Sequence, residues 1–260
     1  MRSGPAGLAT SLLLVTALLA TPPAATRPAQ QVARDGTVLL LVPGGPFQMG
    51  STWWKDQEPA LTVDVPTFYI ARNPVTNQQF RRFVTATRFQ AQGHWQEGYH
   101  HYGSQVPVVD VTWSDARAYC TWAGVRLPTE AEREKAARGL DGRRYPWGSR
   151  WNPDLVNART MRGRPTQPIR VGRHPGNASP YGALDMTGNI WEWTSSLYWP
   201  YPYRTDDGRE NPATPEDGLR VCRGSSWTCD NPIKMTTTWR TPLGAQFFAS
   251  TTGFRVASTP

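Results

Sequence analysis

Lysine is nearly missing from this chain. Of 28 lysines and arginines only Lys55, Lys135 and Lys234 are lysine, so arginine carries almost all the basic charge. Arginine pairs with carboxylates through a planar fork and stacks on aromatic faces. Cysteine is scarce too: Cys120, Cys222 and Cys229 are the whole set, and no Cys-X-X-Cys occurs. That excludes a cysteine metal clip and a thioredoxin-type motif, and an odd count in an exported chain leaves at least one thiol free or intermolecular. No His-Glu-X-X-His, phosphate loop or Ser/His/Asp set is present, so metalloprotease, P-loop nucleotide and triad hydrolase chemistry lack carriers. Long apolar runs are absent apart from Leu8–Ala20, which follows Arg2 and precedes small residues up to Ala25. This is the pattern of a secretory signal over 1–25, and the run is short for a membrane span. A single N-terminal anchor is the other reading. The expected location is secreted, periplasmic or cell-surface.

Tryptophan is abundant instead. The chain has 12 Trp, 23 Gly and 24 Pro at only 38% hydrophobic residues. Gly and Pro impose turns and shorten helices, while each Trp removes a large area from water. A loop-rich α+β fold with an aromatic core is expected. The net charge is +8, but the arginines are dispersed and no basic helix appears. We therefore expect no nucleic-acid partner.

The polar stretch 26–36 reads as a flexible linker, and 37–260 as a single domain. Val38–Val42 and Phe47–Gly50 read as strand, and Leu61–Ile70 alternates like one. Thr76 can cap a helix that carries Phe80, Phe83 and Val84 on one face. Residues 88–105 read as a polar aromatic loop. Val111–Trp113 reads as a short strand, followed by a helix opened by Ser114 and Asp115, with Ala116, Tyr119, Cys120 and Ala123 inward and Gly124 as its stop. Thr129 and Glu132 form a capping box for a further helix that ends near Arg138 at Gly139.

Seven motifs follow in order: Gly-Gly-Pro-Phe-Gln-Met-Gly at 44–50, Pro-Val-Thr-Asn at 74–77, Arg-Leu-Pro-Thr-Glu-Ala-Glu at 126–132, Tyr-Pro-Trp-Gly at 145–148, Gly-Asn-Ile-Trp-Glu-Trp at 188–193, Arg-Gly-Ser-Ser-Trp at 223–227 and Gly-Phe-Arg at 253–255. Together they resemble the formylglycine-generating enzyme, or sulfatase-modifying factor, family. The resemblance implies a C-type-lectin-like fold with little regular structure. It does not fix the activity, since one fold hosts many functions.

In that family the stretch matching Gly-Ser-Ser-Trp-Thr-Cys carries the first of two catalytic cysteines, and the pair binds copper(I). Cys229 matches the first. The second position falls on Lys234, or on Pro232 if the loop is shorter, and neither is a thiolate. Copper(I) needs soft ligands, so copper is not expected. Cys229, Ser226 and Trp191 are the candidate catalytic residues, and Trp227, Trp239 and Arg240 are the candidate ligand groove. The resemblance also implies a structural calcium held by the Asp185 and Glu192 side chains and the Gly188 and Ile190 carbonyls, a hard-oxygen set. A second calcium at Asn157 and Ala158 lacks a recognisable acidic loop. His94, His100 and His101 read as a solvated loop, and Cys120 as an inert buried thiol. The expected function is binding of a peptide, protein or small-molecule ligand by a member without the second cysteine. The alternative is an extracytoplasmic oxidase, on sulfatase-type or other peptides, that uses Cys229.

Overall fold

Threonine starts three of the helices in the computed structural model, each through a reciprocal capping box. Thr76 with Gln79 opens α1 (Asn77–Thr87), Thr112 with Asp115 opens α3 (Trp113–Ala123), and Thr129 with Glu132 opens α4 (Glu130–Arg138). Each threonine oxygen satisfies a backbone N–H that the first turn leaves without a partner. The structure describes Met1 and residues 29–159, 166–211 and 218–260. The expected signal segment lies outside the described residues, apart from Met1.

Three sheets frame the molecule. β1 (Gln30–Val32), β2 (Val38–Val42), β5 (Phe68–Ala71) and β10 (Ala257–Ser258) form one in that spatial order, while β3 (Gly45–Met49) and β4 (Leu61–Val65) form a hairpin. The third holds β6 (Trp191–Leu197), β7 (Leu219–Arg223), β8 (Arg240–Gly244) and β9 (Thr252–Phe254), in the order β8-β7-β6-β9. β6 pairs antiparallel with β7 but parallel with β9, Trp191 opposite Thr252. The C-terminal strands therefore return onto the strand that carries the Gly-Asn-Ile-Trp-Glu-Trp motif.

Two main cores result. Phe80, Phe83, Trp95, Tyr119, Trp193 and Phe254 pack in one beneath α1 and α3. Val42, Met49, Phe68, Ile70, Ala136 and Met186 pack in the other against α4. A small third cluster of Tyr145, Val156, Ala158 and Met235 carries Trp147, Trp151 and Cys229 at its edge.

Three expectations are corrected. Within the stretch read as a linker, β1 pairs with β2, and buried Asp35 accepts from the Tyr119 hydroxyl. A buried partner, invisible to local composition, fixes this segment. Within 88–105, Trp95–Tyr102 forms helix α2, with Trp95 packed edge-on to Phe80 at 5.4 Å. Trp113 belongs to α3 rather than to a strand, because Thr112 and not Ser114 is the cap.

Gly253 sits where β9 passes the Val108 carbonyl, and a Cβ there would lie 2.0 Å from that oxygen. Gly253→Ala should cost about 1–3 kcal/mol, the usual range for overpacking. Chemical denaturation checks this, and an unchanged midpoint would contradict the seating of β9.

Candidate functional site

The turn ahead of β6 gathers the sequence-predicted residues. Gly188 adopts φ +74 with almost no room for a side chain: a Cβ would lie 2.2 Å from Val156 Cγ2. Its N–H donates to the Gly224 carbonyl at 2.7 Å, and Trp227 N–H donates to the Asn189 carbonyl at 3.0 Å. Asn189 is held in turn by Asn157, whose amide donates to Asn189 Oδ1 at 3.1 Å. These bonds lay the 224–229 segment beside the start of β6, so Trp191, Ser226, Trp227 and Cys229 come from adjoining backbone.

Ser226 is buried, and its hydroxyl lies 2.9 Å from that of Thr228. The Cys229 N–H donates to the Ser226 carbonyl at 3.1 Å, and the partly buried thiol points at the Asn231 carbonyl at 3.5 Å. The other two thiols are elsewhere. Cys120 and Cys222 are both buried in the first core, where burial pushes both thiols up. Asn231 caps a short 3-10 turn, Pro232–Met235, in which Pro232 is the first residue and Lys234 reaches over the Trp239 ring at 6.0 Å.

Aromatic side chains that sequence reasoning missed extend this surface. Trp53 and Trp54 are about half exposed, at 48% and 49%. Trp54 lies 5.3 Å from Trp239, and the Arg144 guanidinium covers Trp53 at 4.0 Å. Thr237 ties the C-terminal loop to this side, donating from N–H to the Arg144 carbonyl at 2.7 Å. The adjacent Trp53-Trp54 pair within a polar stretch was the available signal.

Arg240 does not line a groove, which corrects its expected role. It is buried, pairs with Glu130 at 2.8 Å and stacks over Tyr198 and Tyr201 at 4.2 and 4.6 Å. Glu130 also binds Arg223 at 2.6 Å, and Arg223 reaches Glu134 at 2.9 Å.

Glu192 is corrected in the same way. Its fully buried carboxylate accepts from Arg133 Nε at 2.7 Å and from Arg255 Nε and a terminal nitrogen at 2.6 and 2.8 Å, so both oxygens are taken. These guanidiniums hold the carboxyl below its usual range against the burial that opposes it. Asp185, at φ 55, accepts from Gly172 N–H at 2.6 Å, and burial raises its carboxyl. The Asp185 and Leu184 carbonyls take Arg255, the Met186 carbonyl takes Arg133, and the Gly188 carbonyl accepts from Ile190 N–H. Two carboxyls and two guanidiniums already balance, so the expected calcium set of Asp185, Gly188, Ile190 and Glu192 does not fit a dication unless a guanidinium is displaced. The histidines disperse: His94 lies beside Phe248 at 4.9 Å, and His100 and His101 end α2.

Residues 24–260 match the sulfatase-modifying factor enzyme 1-like domain. The chain is 35% identical to hercynine oxygenase of Mycolicibacterium smegmatis over 84% of its length, spanning 60% of that protein. It is 33% identical to inactive C-alpha-formylglycine-generating enzyme 2 of Mus musculus, over 87% of both chains. It is 32% identical to formylglycine-generating enzyme of Thermomonospora curvata, over 90% of this chain and 96% of that one. The structure of PvdO from Pseudomonas aeruginosa superposes with a TM-score of 0.75 at 24% identity, covering 90% of this chain and 99% of that one, a likeness of fold.

Charge balance around Glu192 makes a measurable prediction. Arg255→Met leaves a buried carboxylate short of a partner and should cost about 3 kcal/mol. Chelator should leave the melting midpoint of the unaltered protein in place. A midpoint that falls on chelation and recovers with calcium would restore the calcium reading.

Proposed function

We infer what the protein does from the premise that the chain belongs to the sulfatase-modifying factor family. It is a binding member of that family, acting outside the cytoplasm, that takes a peptide, protein or small-molecule ligand on the surface around Cys229. Aldehyde formation at a substrate cysteine is not its activity. The observation that carries this reading is the surrounding of Cys229. Cys229 packs against the cluster of Tyr145, Val156, Ala158 and Met235, its thiol points at the Asn231 carbonyl, Lys234 lies over Trp239, and Cys222 is buried in the first core. A lone thiolate cannot supply the soft pair that copper(I) requires.

Aromatic faces interleaved with cations suit recognition rather than group transfer. Trp53, Trp54 and Trp239 offer large rigid surfaces, and Arg144 and Lys234 lie over two of them. Such rings contribute contact area at low entropic cost. The family contains a member named as inactive at 33% identity over 87% of this chain, which supports a non-catalytic reading. The apolar Leu8–Ala20 run supports export.

Purified protein given copper, oxygen and a Cys-X-Pro-X-Arg peptide should leave the peptide mass unchanged. A formylglycine product that disappears in Cys229→Ser would instead make the protein an oxidase.

A further inference from the structure

Away from Cys229, a cavity of about 600 Å³ opens between α3, α4, the end of β4 and the far end of β6. That volume suits one small organic molecule. Ser195, which lines it, stands four residues along β6 from Trp191, about 13 Å at ~3.3 Å per residue. Its apolar wall includes Trp113, Val125 and Leu127. Glu210 also lines the cavity.

Glu210 differs from every other glutamate around α4. Glu130 has Arg223 and Arg240, Glu132 has Arg126, Glu134 has Arg138 and Arg223, and Glu192 has Arg133 and Arg255. Among the described residues Glu210 is met by hydroxyls and not by a cation. Oε1 accepts from Ser196 at 2.5 Å and from Tyr203 at 2.8 Å, and Oε2 has only a long contact with Ser195 at 3.4 Å. Burial raises this carboxyl to about 7, against the hydrogen bonds from Ser196 and Tyr203, with Glu130 and Glu132 adding to the rise.

Arg117, Arg126 and Arg220 also line the cavity, and the partners described for them line it too. Arg126 meets both Glu132 oxygens at 2.6 Å. Arg220 lies on the Trp113 ring at 3.9 Å and donates to the Ser195 carbonyl, and Arg117 approaches the same ring at 5.1 Å. Asp64 adds a further acid at the rim. Glu210 is a half-buried carboxyl that has no ion pair among the described residues, with Arg126 its electrostatic neighbour at longer range.

We propose that this cavity binds a small organic cation, a primary amine on an apolar body, with its ammonium against Glu210 and its body against Val125 and Leu127. Salt-bridging and desolvation then act together, because the amine supplies the counter-charge that the fold gives to every neighbouring glutamate. The site is separate from the Cys229 surface and does not depend on what that surface binds.

Calorimetric titration with 2-phenylethylamine and with its neutral counterpart 2-phenylethanol tests this. At pH 8 the amine should bind at least tenfold more tightly than the alcohol. Glu210→Gln should reduce the amine to the level of the alcohol, and Leu127→Trp, which fills the cavity, should remove binding of both. In the unaltered protein the affinity for the amine should fall about tenfold between pH 8 and pH 6, as the carboxyl takes up a proton, while that for the alcohol stays level. Amine binding no tighter than alcohol binding, or a pH-independent amine affinity, would overturn the proposal even if neither variant folds. So would amine binding that survives Leu127→Trp.

Discussion

The pairing of buried guanidiniums with buried carboxylates holds this structure together. Helix α4 is buried along all of its nine residues, and six of these are charged: Glu130, Glu132, Arg133, Glu134, Lys135 and Arg138. Removing an ion from water costs several kcal/mol, which only a partner with good geometry offsets. The fold supplies those partners from elements distant in sequence. Arg223 comes from β7, Arg240 from β8 and Arg255 from the turn after β9. Lys135 donates instead to the Gly45 carbonyl, and Arg138 adds bonds to the Gln48 and Gly50 carbonyls to its pairing with Glu134. Arginine suits this work better than lysine because its fork satisfies two acceptors at once.

That lattice also positions the candidate site. Glu192 and Trp191 are neighbours on β6, so the ion pairs that fix Glu192 fix the strand that presents Trp191. Arg223 leads directly into Gly224, whose carbonyl holds Gly188 and thereby the loop that carries Ser226, Trp227 and Cys229. The aromatic surface is thus mounted on a charged scaffold and not on an aliphatic core. The same scaffold makes Glu210 conspicuous, since among the described residues it is the glutamate around α4 that hydroxyls answer and no guanidinium pairs.

Much of this was legible in the sequence. The order of the motifs gave the fold class, and Thr76, Thr129, Gly124 and Gly139 marked helix ends because caps act over a few residues. Misreadings arose where a distant partner decides. The tie from Asp35 to Tyr119 turns an apparent linker into ordered chain, and Phe80 holds Trp95 in a helix that local composition does not suggest. Arg240 and Glu192 were placed at a ligand groove and a metal because a charged residue in a motif suggests a ligand, whereas here each answers another charge of the same chain. Trp53 and Trp54 escaped notice because their contact with the C-terminal loop spans most of the sequence.

A double-mutant cycle on Glu130 and Arg223 measures the central interaction. Each single change, Glu130→Met or Arg223→Met, strands a buried charge and should cost about 3–5 kcal/mol. If the pair is a unit, the double variant should lose much less than the sum of the two, since the charge that each single change leaves short of a partner is then removed as well. Additive losses would contradict the account, because they would mean that the two side chains contribute separately and that the charged lattice is not what positions β6 and the site it carries.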